Sequence, residues 1–292
     1  MVGEKAPEEH NPQLTEECKQ ALALLLSGLG DWAKSVVLIG GLTPELLKAK
    51  AAEPQEYVGT GDVDLVLSLE ILANMEAYST IEHVLLAKNF QPLGKPGKAW
   101  QWEFKTPSGT AIRINFLSDD GSEDGAKVLP VPEHGQLAVC NIPHSSIVFD
   151  HQETATIEAE LPNDGGFIKV EVRYADIVGF TVLKILAFRN RTEAKDAHDL
   201  IYSLENCGQS IPEIADRFAV ALRGRHAEVI NRALGLLADS FADEKDRSGY
   251  EKHGPAAVAR FERLFDREER ILRQRHVADV VNELLAEIEK RA

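Results

Sequence analysis

Two aspartates, Asp62 and Asp64, sit in the run Thr60-Gly61-Asp62-Val63-Asp64-Leu65-Val66-Leu67. In a strand, successive side chains point to opposite faces. Both carboxylates then project from one face, and Val63, Leu65 and Leu67 from the other. Neighbouring carboxylates raise each other's pKa unless a cation lies between them. Their hard oxygens suit Mg²⁺ or Mn²⁺, and Mg²⁺ readily takes substrate phosphates as further ligands. Upstream, the apolar run Val36-Val37-Leu38-Ile39 leads into Gly40-Gly41 and then Thr43-Pro44. The run reads as a buried strand, and the diglycine as a sharp turn that lets a ligand approach the backbone. Thr43 reads as a helix cap with Pro44 at the first position, an end that favours an anion. A phosphate-friendly turn beside a metal-binding carboxylate pair has the parts nucleotidyl transfer needs. Positioning and charge neutralisation do most of that work.

The elements that must hold these groups follow from periodicity. Pro12 to Leu29 carries Leu14, Cys18, Ala21, Leu22 and Leu25 at helical spacing, ended by Gly28 and Gly30. The segment from Lys50 to Gly59 is a polar loop containing Pro54, and Thr60 reads as a surface turn residue. Ile71 to Lys88 reads as one helix. Ala99–Lys105 and Thr110–Leu117 read as a hairpin turning at Thr106-Pro107-Ser108-Gly109. Asp119 to Asp124 reads as a solvated acidic loop, and Gln136–Cys140 and Ser146–Phe149 as short strands. Glu153–Leu161 and Phe167–Arg173 alternate on either side of Asn163-Asp164-Gly165-Gly166, a second hairpin. His144 and His151 lie near it and read as structural or solvated.

From Asp176 onward the pattern is helical. Asp176 to Arg189 is apolar nearly all round, which makes Lys184 conspicuous: a lysine there must snorkel out or meet an anion. Thr192 reads as the cap of a helix from Glu193 to Leu204, where Asp196 and Asp199 share a face. Pro212–Leu222, His226–Ser240 and a long helix from Pro255 read as the remainder, with a charged linker over Asp243–His253. The charges of Arg263, Asp266, Arg267, Glu268, Glu269 and Arg270 read as a solvated face. Arg223, Arg225 and Arg232, with Arg189 and Arg191, read either as one basic wall or as scattered surface charge.

The diglycine turn followed by Asp-x-Asp resembles the nucleotidyltransferase superfamily, the fold shared by polymerase beta and kanamycin nucleotidyltransferase. The second stretch, Lys184-Ile185-Leu186-Ala187-Phe188-Arg189-Asn190-Arg191 and then Lys195-Asp196-Ala197-His198-Asp199-Leu200, resembles the AbiEii/AbiGii-type toxin nucleotidyltransferases of abortive-infection and toxin–antitoxin systems. The two signatures stand about 120 residues apart, and the resemblance covers roughly residues 30 to 205. It implies an α+β protein: a mixed-sheet nucleotidyltransferase domain over 1–174, with an N-terminal helix and an extra hairpin, then a helical domain over 175–292. It implies metal on Asp62 and Asp64, Lys184 on the nucleotide phosphates, and Asp196 or Asp199 orienting the lysine or the attacking group. Gly40, Gly41, Thr60, Lys184 and Arg191 would bind the nucleotide. The implied reaction moves NMP from an NTP to an acceptor hydroxyl on a tRNA end, a protein or a small molecule, and in the toxin branch a cognate antitoxin is the partner.

One departure stands out. The superfamily commonly has a third carboxylate on the strand after Asp-x-Asp, and the matching residue here is Asn115, an amide that takes no proton and binds no metal as a carboxylate does. Asp119, Asp120 or Glu103 replaces it, or two carboxylates suffice, or the fold is a catalytically silent binding module. An aminoglycoside-type small-molecule transferase is the other alternative, since an acidic surface suits a cationic substrate.

Composition bounds these readings. The chain has 292 residues, 44% of them apolar, and a net charge of -15, with a pI near 5.1. That length favours two domains or one large one. The charge argues against a dedicated non-specific nucleic-acid binder. Cys18, Cys140 and Cys207 show neither metal-ligand spacing nor a disulfide framework, which fits a reducing cytoplasm. Residues 1–11 read as frayed, with no apolar signal core. No run approaches about 18 apolar residues, so no membrane span is expected.

Overall fold

The computed structural model describes residues 12–53, 55–95, 97–130, 135–161 and 165–291. The expectations for 1–11, for Pro54 and for Asn163-Asp164 lie outside the described residues. The protein is α+β, with a mixed sheet and a helical C-terminal region. Its contacts divide it into two units. Of the described residues, a strand unit holds those from Pro12 to Thr43 and from Val58 to Ala175, and a helical unit holds those from Pro44 to Tyr57 and from Asp176 to Arg291. The chain thus leaves the strand unit after Thr43 and returns at Val58.

Helix α1 (Pro12–Leu29) opens the strand unit and buries Cys18, Ala21, Leu22 and Leu25. Strand β1 (Val36–Ile39) is buried throughout, as a continuous apolar run in a sheet interior must be. A 3-10 turn over Gly40–Leu42 follows, then α2 (Thr43–Lys48). Thr43 already has helical angles, so it is not the cap that the sequence suggests, and Pro44 is the second residue. In β2 (Asp62–Leu67), Val63 and Leu65 are buried while Asp62 and Asp64 are half-buried, the alternation that places both carboxylates on one face.

The helix expected over Ile71–Lys88 is two, α3 (Leu69–Ala73) and α4 (Met75–Ala87). Asn74 breaks it: its side chain accepts from the N–H groups of Glu76 and Ala77, starting a new helix rather than continuing the old. Strands β3 (Gln91–Leu93), β4 (Gln101–Lys105) and β5 (Ala111–Ser118) follow, then β6 (Val128–Pro130) and β7 (Ala138–Asn141). β3 and β6, three residues each, are too short to show a period. Ser145–Phe149 is a 3-10 helix, not a strand, after His144 at φ +64°. Its buried Ile147 and Val148 explain the misreading, since a short apolar run does not distinguish the two. β8 (Gln152–Glu160) and β9 (Phe167–Ala175) form the second hairpin.

The sheet runs β3-β4-β5-β2-β1-β9-β8, with β7 beside β5 and β6 beside β7. β2 pairs antiparallel with β1 and parallel with β5, and β1 pairs parallel with β9. Asp64 thereby lies opposite Ile39 on one side and Asn115 on the other.

In the helical unit, α5 (Ile177–Arg191) is capped by Asp176, whose carboxylate takes the N–H groups of Val178 and Gly179 and also pairs with Arg217. Thr192 is the left-handed C-cap of α5 at φ 54°, not an N-cap; Glu193 occupies that position for α6 (Ala194–Asn206). Four helices complete the unit: α7 (Ile211–Ala221), α8 (Ala227–Phe241), α9 (His253–Phe261) and α10 (Arg267–Glu289). Pro255 lies inside α9, and the long helix starts only after Asp266, which caps it; Arg263 lies in the connection before it, at φ +55°. Phe188, Phe218, Phe241, Val258 and Leu284 are among its buried apolar side chains. No helix among the described residues is long and apolar enough to cross a membrane.

Candidate functional site

The candidate residues form two constellations, one in each unit. In the strand unit, Gly40 turns out of β1 at φ +74°, and a Cβ there would stand 1.9 Å from Asp64 Oδ2. Only glycine lets the Asp64 carboxylate lie over this turn. Asn115 Nδ2 donates to Asp64 Oδ1 at 2.8 Å, and Gln101 Nε2 donates to Asn115 Oδ1 at 3.0 Å. The amide is thus held from both sides, with its NH2 group toward the carboxylate.

Asp62 is held differently. Thr60 Oγ1 donates to Asp62 Oδ1 at 3.0 Å. The Thr60 N–H donates to Thr15 Oγ1 at 3.0 Å, and Cys18 Sγ donates to the Thr60 carbonyl at 3.5 Å. Thr60 is 2% exposed, so it is not the surface turn residue its loop context suggests. Its hydroxyl is spent on orienting Asp62. Burial, then the negative charges of Asp62, Glu17 and Asp64, push the Cys18 thiol far up, so it stays a neutral donor.

The other acids do not take the place beside Asp64. Asp119 accepts from the Ser146 hydroxyl at 2.6 Å and Asp120 from the Ser122 hydroxyl at 2.6 Å. With Asn141, which donates to the Ser122 and Asp124 carbonyls, they order the acidic loop rather than leaving it merely solvated. Glu103 lies opposite Arg113 in the β4–β5 ladder, while Gln101 lies opposite Asn115. Among the described residues, no group of three or more His, Cys, Asp or Glu is arranged to hold a metal ion. Two carboxylates on one strand face still fit the donor chemistry of Mg²⁺, which takes one or two protein carboxylates and completes its shell with phosphate oxygens and water.

The helical unit holds Lys184, Arg191, Asp196 and Asp199 in one buried ion cluster. Lys184, 7% exposed, donates to Asp196 Oδ1 at 3.1 Å and to Asp199 Oδ2 at 2.8 Å. Arg191 grips Asp196 through Nε at 2.6 Å and Nη2 at 2.8 Å, its side chain 55% exposed. Lys195 Nζ lies 2.8 Å from Asp199 Oδ2 and donates at 2.9 Å to the hydroxyl of Tyr57, which itself donates to Asp199 Oδ1 at 2.8 Å. Three cations thus face two carboxylates.

Burial alone would raise both aspartates, but Lys184 and Arg191 hold Asp196 below the usual carboxylate range. Lys184 and Lys195 hold Asp199 well below it. Burial likewise opposes the Lys184 charge, and Asp199 and Asp196 outweigh it, raising that pKa. Burial and then the Asp199 charge push the Tyr57 hydroxyl well up. His198 Nδ1 stands 3.6 Å from Asp199 Oδ1, beyond hydrogen-bond reach.

Gln101, Tyr57 and Thr15 were not legible as site residues. Each lies in a stretch without a motif; strand register brings Gln101 to Asn115, packing of whole elements brings Thr15 to the Thr60 N–H, and Tyr57 reaches Asp199 across the chain. Arg189, Arg223, Arg225 and Arg232 are exposed. Compared with known proteins, the chain matches no protein-family model and no curated protein.

Proposed function

We propose that the protein is a metal-dependent nucleotidyltransferase, with Asp62 and Asp64 as the Mg²⁺ or Mn²⁺ ligands. The observation that carries this reading is the fit of Asp64 over Gly40, where any Cβ would meet its carboxylate, with Asp62 on the same strand face. A glycine turn closed against a carboxylate pair is a place where backbone N–H groups and a metal can share one triphosphate. The metal would neutralise charge developing on the transferred phosphoryl group as an acceptor hydroxyl displaces pyrophosphate. On this reading Thr60 orients Asp62 and Asn115 orients Asp64. Within the helical unit Lys184 gives two of its three N–H donors to Asp196 and Asp199. A tRNA end or a protein hydroxyl is the acceptor, and the toxin branch adds an antitoxin partner. The three buried free cysteines support a reducing compartment.

A second reading has its own observation. Asn115 donates to Asp64 where the superfamily commonly has a carboxylate, which favours a silent module that binds nucleotide without transferring it. Purified protein with Mg²⁺ or Mn²⁺ and each α-labelled NTP, with and without total tRNA, separates the two. Label on RNA or protein that disappears in Asp62→Ala and Asp64→Ala supports the enzyme. Label on an added aminoglycoside assigns a small-molecule acceptor instead. Saturable NTP binding without transfer supports the silent module, and transfer surviving both substitutions overturns the site.

A further inference from the structure

We propose that a cavity in the strand unit, away from the two carboxylates, binds a small oxyanion through Arg173. The cavity measures about 190 Å³ and lies where the end of α1 and the turn after it meet β9. Leu26, Ala33 and Val170 give it apolar walls, and Lys34, Glu171 and Arg173 bring the charge. Drug-sized ligands occupy roughly 300–1,000 Å³, so the occupant is smaller, a phosphate or a short-chain carboxylate.

Arg173 is the reason to expect an anion. It sits on an interior strand, opposite Val37 of β1 and Thr154 of β8, between buried Val172 and Tyr174. Its Nε is buried and has no hydrogen-bond partner among the described residues. A guanidinium is permanently charged and offers donors in a rigid fork, so a stranded donor on it is costly. Buried polar groups are otherwise almost always paired, and an exception calls for a missing partner. Glu171, on the same face of β9 two residues earlier, makes no ion pair with it.

The other groups fit the same occupant. Among the described residues Lys34 pairs with Asp31, at 3.0 Å, and both side chains are largely exposed. Such a surface pair is weak, so Lys34 can turn to an anion at the mouth. Gly30, also lining the cavity, has no atom within 4 Å of where a Cβ would stand, so the approach is open. Carboxylate and phosphate both accept two parallel N–H bonds from an arginine fork.

The test is calorimetric titration of the full chain with inorganic phosphate and, separately, with butyrate, at constant ionic strength and with chloride as the control anion. Saturable binding of either probe is expected, and the probe that binds tighter identifies the source. Arg173→Gln should weaken it about tenfold or more, the loss of one charge-assisted pair. Lys34→Ala should weaken it less. Glu171→Gln, which removes the opposing charge, should tighten it. Absence of saturable binding by both probes overturns the proposal, as does unchanged affinity in Arg173→Gln. Should Arg173→Gln fail to fold, unchanged affinity in both Lys34→Ala and Glu171→Gln overturns it equally.

Discussion

The two constellations handle charge in opposite ways. On the strand face, Asp62 and Asp64 are half-buried and held by neutral groups, a hydroxyl from Thr60 and an amide from Asn115. In the helical unit, Asp196 and Asp199 are buried and saturated by Lys184, Lys195 and Arg191. Carboxylates paired with buried cations have already spent their charge on holding helices together. On the proposed reading the metal belongs to the strand face, and the ion cluster is a scaffold of the helical unit.

The largest test of that contrast is stability. Lys184→Met removes the buried cation that Asp196 and Asp199 share and leaves them to Arg191 and Lys195, nearer the surface. Urea unfolding should show a loss of about 3 kcal/mol, whereas Asp62→Ala, which removes a half-buried carboxylate held by the Thr60 hydroxyl, should cost well under half as much. Equal costs would erase the distinction.

The same contrast has a pH signature. Asp196 and Asp199 titrate below their unfolded values, so their contribution is present above about pH 4 and is lost as pH falls through the folded values. Lys184 titrates above its unfolded value, so its contribution is present below about pH 10 and is lost as pH rises further. The urea midpoint of the helical unit should form a plateau between these limits, and Lys184→Met should flatten both edges.

Gly40→Ala brings a Cβ against Asp64 and forces a left-handed angle on alanine. A loss of about 1–3 kcal/mol is expected in thermal unfolding, together with loss of Mg²⁺-dependent NTP binding. If binding survives, the turn does not shape the site. Thr60→Val removes the donor to Asp62 and should cost about 1 kcal/mol, read by the same melt. Smallest is Asn115→Asp, which sets a third charge opposite Asp64. Without metal it should destabilise by about 1 kcal/mol or less, and Mg²⁺ should restore the loss; a melting temperature indifferent to Mg²⁺ would argue against a metal on this face.

Much of the local structure could be read from residue order. Period-two alternation placed Asp62 and Asp64 on one strand face, and the β8–β9 hairpin followed from the same signal. The nearly all-apolar α5 made Lys184 conspicuous before any partner was visible. Where side chains compete with the backbone, reading failed: Asn74 split a helix, and Thr192 ended one rather than beginning the next.

Composition and periodicity by themselves determined which residues share a face and which must be buried, because those depend only on the 3.6- and 2-residue repeats of the backbone. Tertiary structure alone decided who meets whom. The parallel register of β2 on β5 puts an amide beside Asp64, and the excursion of Pro44–Tyr57 into the helical unit brings a phenol to Asp199. Contacts across 51 and 142 residues leave no local trace, since they are selected by packing of whole elements rather than by any neighbour in the chain.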